Sequence, residues 1–168
     1  MTMDNNHLSQ IRYHLSQADK IARENGLGDI FSYSRAKEVL IAEALGHTVA
    51  TTYSGADGYD KNGKPVEYKS TVGKKISATY NGISVQPTWK EQVEYLQNEK
   101  IGKYAHHYFA RFEGTDIKEL WMLTAEQVLK LLLPALEKQF NSTVKKKDPR
   151  LGYGIRESKI KKYGKRII

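Results

Sequence analysis

Cysteine is absent from the 168 residues. That excludes disulfides, thiolate metal sites and a cysteine nucleophile, and leaves the redox compartment open. Proline is scarce at four residues and forms no linker, so no domain boundary announces itself. No apolar run approaches the roughly 20 residues that cross a bilayer, and Met1 to Asn25 is too polar for a secretory signal. A membrane protein is not expected, and the expected location is the cytoplasm. What is present suffices for a core: at 39% hydrophobic and 27% charged, a chain of this length can bury roughly 70% of the surface its unfolded form exposes. One folded domain over 1–168 is the expectation.

The formal charge is +8, and it is not spread evenly. Residues 144–168 hold ten of the 27 basic residues and two of the 19 acidic ones, so the first 143 residues balance. Lys145, Lys146 and Lys147 open this tail, and Leu151, Tyr153, Ile155, Ile160 and Tyr163 interrupt it. A basic segment carrying its own apolar residues reads as a surface that packs and also meets a polyanion, because phosphate binding releases counterions. The rival reading is a solvated tail that keeps the chain soluble. A long amphipathic membrane anchor is disfavoured by Gly152, Gly154 and Gly164.

Periodicity supplies the rest of the order. Leu8, Ile11, Leu15, Ala18 and Ile21 predict a helix up to Asn25-Gly26, with a narrow apolar stripe facing a core or a partner subunit. A second helix is predicted from Ser34 to Leu45, stopped by Gly46, and His47 to Thr52 reads as a strand. Two Asn-Gly pairs, Asn62-Gly63 and Asn81-Gly82, each predict a hairpin, the second between Ile76–Thr79 and Ile83–Val85. Thr88 with Glu91 and Thr124 with Gln127 have capping-box spacing, so helices start there. Strands are predicted at Tyr104–Phe112 and Ile117–Leu123. The class is α+β.

Chemistry concentrates between Ser54 and Ser70. Glu67 and Lys69 are two apart and share a strand face, with Tyr68 on the other. A two-residue loop at Asn62-Gly63 would put Asp57 on the wrong face. A three-residue loop Lys61-Asn62-Gly63, with Gly63 left-handed, pairs 60 with 64 and sets Asp57 opposite Glu67; that register, or a bulged equivalent, is the expected one. Two carboxylates beside an ammonium, with the Tyr68 carbonyl as a further donor, suit Mg²⁺. Lys69 is then placed to orient a water and to stabilise charge on a five-coordinate phosphate. Taken singly, an acid two before a lysine means little: Asp116-Ile117-Lys118 and Glu157-Ser158-Lys159 repeat the spacing. Gly58 to Lys64 imitates a nucleotide-binding loop, but Pro65 lacks the needed hydroxyl and N–H, so no nucleotide cofactor is expected.

The Asp57…Glu67-Tyr68-Lys69 arrangement resembles the PD-(D/E)XK nuclease signature. Its neighbourhood, Gly28-Asp29-Ile30-Phe31, Leu45-Gly46-His47-Thr48-Val49, Arg111-Phe112-Glu113-Gly114 and Tyr163-Gly164-Lys165, resembles PvuII-like type II restriction endonucleases from about Ala18 to the end. The resemblance implies a restriction-endonuclease-like core with a mixed, mostly antiparallel sheet flanked by helices. It divides the chain into an N-terminal helical dimerisation region (1–45), a catalytic core (47–143) with a recognition ribbon at about 74–86, and a basic DNA-contacting tail (144–168). It further implies a homodimer on palindromic double-stranded DNA and Mg²⁺-dependent cleavage leaving 5′-phosphates, with Mn²⁺ able to substitute. Asp57 and Glu67 would bind metal and Lys69 would activate water.

The expected DNA contacts are Lys74, Lys75, Ser77, Thr79, Tyr80, Asn81 and Ser84 on the ribbon and Lys145, Lys146 and Lys147 on the tail. The chain departs from the resemblance in having no histidine between Ser70 and Trp89, so no target sequence carries over. Two alternatives stand beside it: a structure-specific nuclease such as a Holliday junction resolvase, and a non-catalytic nucleic-acid-binding module.

Overall fold

The structure, a computed structural model, describes residues 5–142 and 148–168. Lys145, Lys146 and Lys147 lie outside the described residues. In chain order the elements are α1 (Asn5–Glu24), α2 (Arg35–Leu45), β1 (Thr48–Val49), β2 (Gly58–Tyr59), β3 (Pro65–Thr71) and β4 (Ser77–Ile83). They continue with α3 (Trp89–Tyr95), a π-helical turn at Leu96–Lys100, β5 (His106–Glu113), β6 (Asp116–Thr124), α4 (Ala125–Phe140), β7 (Leu151–Arg156), α5 (Glu157–Tyr163) and β8 (Lys165–Arg166). The α+β class and the mixed sheet flanked by helices are as expected.

Six strands form one sheet in the order β1-β2-β3-β5-β6-β8, with β3 and β5 parallel and the other neighbours antiparallel. A second sheet has two strands, β4 and β7. Alternation along β3 and β5 feeds two cores. Val66, Tyr68, Tyr108, Ala110 and Phe112 face α2, where Ile41 and Ala42 are buried. On the other face Phe109 and Leu123 meet Leu132 and Leu136 of α4, together with Ala78, Ile83, Leu151 and Ile155 of the two-stranded sheet. Helices and the small sheet thus cover the large one from both sides. Both capping boxes form, at Thr88/Glu91 and Thr124/Gln127, and Gly46 ends α2 at φ 63°.

Two expectations fail locally. The strand over His47–Thr52 shrinks to Thr48–Val49, because the chain beyond it is drawn back toward Arg35. Asn81-Gly82 does not turn a hairpin. Both residues lie inside β4, where Gly82 at φ 66° sits at a register shift, and the partner strand is β7 from the basic tail. β4 is instead paired with Leu151–Arg156 of β7, rather than with Ile83–Val85.

Gly58 sets how closely the first three strands approach. A Cβ there would lie 2.5 Å from the main-chain oxygen of Thr48 and 2.7 Å from the Tyr68 hydroxyl. We expect Gly58→Ala to cost about 1–3 kcal/mol, read as a lowered Tm in thermal melts. An unchanged Tm would mean that β1 yields freely.

Candidate functional site

The turn between β2 and β3 has the expected three-residue form. Asp60 N–H bonds to the Lys64 carbonyl at 2.9 Å, Gly63 is left-handed at φ 74°, and Asp60 caps the turn by accepting from Asn62 and Lys64 N–H groups. Gly58 pairs with Val66, yet Asp57 N–H also reaches the Val66 carbonyl at 3.1 Å. Two residues thus oppose one, which is a β-bulge at the strand rim. Because β2 is only two residues long, β3 outruns it and leaves the Tyr68 N–H uncovered on that edge. The Asp57 carboxylate accepts this N–H at 2.7 Å. The N–H and C=O of one strand residue point to the same edge, so the Tyr68 carbonyl opens on the Asp57 side.

Glu67 and Lys69 leave the same face of β3, and the Lys69 ammonium is paired with the Glu67 carboxylate. Burial, and next the charge of Glu67, push the Asp57 carboxyl up to about 7; the Tyr68 N–H and Lys69 act against that rise. The structure thus brings Asp57, Glu67, Tyr68 and Lys69 together. A further carboxylate, not expected from sequence, stands at the rim: Glu38 of α2, whose carboxyl is raised by burial against the pull of Arg35, with Glu67 adding to the rise. No local pattern marks Glu38, since its role comes from the packing of α2 on β3.

Arg35 explains why that helix and the Asp57 loop keep station. Its guanidinium is fully buried, donating to the Ala50 and Thr52 carbonyls at 2.8 and 3.0 Å and pairing with Glu38 at 3.1 Å. It also sits 4.6 Å from the centre of the Tyr53 ring. The segment leading to Asp57 is thereby tied to α2.

On the far side, Lys69 Nζ lies 5.2 Å over the ring of Tyr80. Tyr80 is buried rather than exposed toward a groove, so its expected place among the DNA contacts is corrected. Alternation along β4 turns Ala78, Tyr80 and Ile83 inward and Ser77, Thr79 and Asn81 outward. The Tyr80 hydroxyl meets His107 Nδ1 at 3.0 Å, and His107 Nε2 meets the Ile101 carbonyl at 3.1 Å. A carbonyl only accepts, so Nε2 carries the hydrogen and Nδ1 accepts from tyrosine. Burial lowers the His107 pKa to about 4 and keeps the ring neutral. Tyr104 completes the wall, donating to the Gly55 carbonyl at 2.8 Å.

Lys74, Lys75 and Ser84 are exposed, as are Ser77, Thr79 and Asn81. Arg156 of β7 stands across from Ser77, and Gly154 across from Thr79, so the outward ribbon face is small and polar with a cation at one end. Sequence reasoning missed Arg156 in this place because nothing near it names β4 as its partner.

Among the described residues no group of three His, Asp or Glu side chains is gathered closely enough to hold a metal ion. Mg²⁺ needs less from protein, since one or two carboxylates suffice when phosphate and water complete its shell. Two half-buried acids, with the Asp57 carboxyl raised by burial and by the charge of Glu67, fit such a cation. No protein-family model matches this chain, and no curated protein matches it. No helix among the described residues is long and apolar enough to cross a membrane.

The Asp57 shift fixes the sign of a pH effect. Its carboxyl moves from 3.8 to about 7, so between those values the folded chain binds more protons than the unfolded one. Stability of the ion-free protein falls as pH rises through that window and levels off above it. Asp57→Asn keeps an acceptor for Tyr68 N–H and removes the charge. We expect it to melt above the parent at pH 8 by a margin on the order of 1–3 kcal/mol, shrinking toward pH 5. Mg²⁺ or Mn²⁺ should raise the Tm of the parent and not that of the variant. A variant less stable than the parent at pH 8 contradicts the account.

Proposed function

We propose that this chain is a Mg²⁺-dependent endonuclease of the type II restriction class, hydrolysing phosphodiester bonds of double-stranded DNA at a specific palindromic site to leave 5′-phosphates. The observation that carries the reading is the convergence of Asp57, Glu67 and Lys69 around one bulged strand end. Asp57, Glu67 and the Tyr68 carbonyl are the groups that would hold Mg²⁺, which when bound supplies charge to polarise phosphate and acidify water. The chain's own part is placement. Lys69, fixed between Glu67 and the Tyr80 ring, directs its N–H groups at the attacking water and at the phosphate oxygen that gains charge. Water adds to phosphorus, the bond to the 3′ oxygen breaks, and that oxygen leaves as a hydroxyl after taking a proton.

Recognition is assigned to the β4–β7 ribbon. Its outward Ser77, Thr79 and Asn81, opposite Gly152 and Gly154, suit a major groove that admits a two-stranded ribbon. Lys74, Lys75 and Arg156 suit the flanking phosphates. A palindrome calls for two-fold protein symmetry, and α1 supports it. Leu8, Ile11, Leu15 and Ile21 are all about half exposed, at 46–59%, along a helix anchored to the body near its end through Ala22 and the Asp19 bond to Ile30 N–H. A second copy of α1 would cover this stripe.

Digestion of linear phage DNA with Mg²⁺ should give discrete fragments. Lys69→Ala and Asp57→Ala should each lower the rate by about 10²–10⁴-fold while a gel-shift assay still detects DNA binding. Cutting confined to four-way junctions would replace restriction by resolution. An intact protein that cuts no duplex, junction or RNA would leave a binding module.

Leu8→Glu with Leu15→Glu should convert a dimer to a monomer by light scattering, and with it abolish double-strand cuts. A parent protein that is already monomeric at micromolar concentration contradicts the dimer.

A further inference from the structure

Away from the acidic site, a cleft of about 830 Å³ opens between α4, the outer edge of β7 and α5. Its floor is a strand edge. The small sheet has two strands, so β7 has one edge bonded to β4 and the other turned toward α4. On that outer edge Gly152 already has an amide partner: Gln139 of α4 donates its Nε2 to the Gly152 carbonyl at 2.7 Å and accepts the Gly152 N–H at 3.4 Å. Alternation sends the N–H and C=O of Gly154 to the same edge, which lines the cleft. A side-chain carboxamide thus does at residue 152 what a neighbouring strand would do, and residue 154 stands ready for the next peptide group.

The walls define the rest of the ligand. Lys130, Lys159 and Arg156 line the cleft against one carboxylate, Glu126, while Leu131 and Pro134 give apolar footing. A phosphodiester would gain from the cations, but it has no donor for the Gly154 carbonyl and no use for the apolar wall. An extended peptide offers N–H, C=O and alternating side chains together.

We propose that this cleft takes an acidic polypeptide segment in extended conformation, pairing with the main chain of Gly154 and directing its carboxylates to Lys130 and Lys159. The site is separate from Asp57, Glu67 and Lys69 and does not depend on the nuclease reading.

The probe is a fluorescein-labelled pentapeptide of alternating glutamate and valine, blocked at both ends, titrated into the full chain. Saturable anisotropy is expected, with amide NMR shifts centred on residues 152–156. Binding should weaken about tenfold in Lys130→Glu/Lys159→Glu, checked for an unchanged Tm. It should also weaken when the peptide is N-methylated at its central amide, an arm that needs no protein variant. No binding, binding indifferent to both changes, or the same amides shifted by a short DNA duplex and not by the peptide would each overturn the proposal.

Discussion

A carboxylate that accepts a main-chain N–H is held in place by that bond, and Asp57 is held by Tyr68. The bond exists because β2 stops after two residues while β3 continues for seven. An uncovered N–H at a half-buried strand edge costs free energy unless something accepts it, and the bulge at Asp57-Gly58 turns the nearest acid into the acceptor. Satisfying that donor creates a second cost. It leaves Asp57 close to Glu67 in a site shielded from water, where two like charges raise each other's energy and the Asp57 carboxyl moves to about 7. The protein tolerates a locally unfavourable pair because the rest of the sheet over-determines it, and such perturbed groups cluster at functional sites.

Lys69 neutralises part of this charge, and its own position is set from two layers. Glu67 belongs to the large sheet; Tyr80 belongs to the small one. Tyr80 is in turn fixed through His107 to the Ile101 carbonyl at the end of the π-helical turn. The strand whose outward face offers Thr79 and Asn81 therefore has, one residue away on its inward face, the ring that carries the lysine. Any shift of β4 along its axis moves both. That is a direct mechanical link between the outward ribbon face and the acidic site, built from one side chain on each face of the same strand.

The two Asn-Gly dipeptides show what local sequence can and cannot specify. Asn62-Gly63 turns the chain because the residues on either side are near-neighbour strand partners and Asp60 caps the turn with two main-chain bonds. Register, strand face and the meeting of Asp57 with Glu67 all follow from that short stretch, so this part of the candidate site was legible. Asn81-Gly82 has the same turn preference, but a turn there would leave only residues 83 to 86 before Pro87 to pair with the stretch before it. A downstream strand wins the pairing, and the left-handed glycine serves a bulge instead. Glu38, Arg35 and His107 were not legible for the same reason: each acts on residues brought near by packing, and no spacing along the chain records it.

The pairing of β7 with β4 also changes what the basic tail is. As a solvated appendage it would contribute charge alone. Leu151, Ile155 and Ile160 are instead buried in the larger core cluster, so described residues of the tail form half of the ribbon. Arg156 and Ser77 stand side by side on its outer face. Gly152 and Gly154 keep that face low, and the Asn81 side chain lies against Gly152, where a Cβ would come within 2.5 Å of its oxygen. Attraction to a polyanion and discrimination among its groups would then act through one surface rather than two. Loosening the tail's apolar anchors would remove the ribbon's second strand, uncover the edge of β4 and free the Tyr80 ring that steadies Lys69, so the charge, the outward-facing strand and the acidic site stand or fall together.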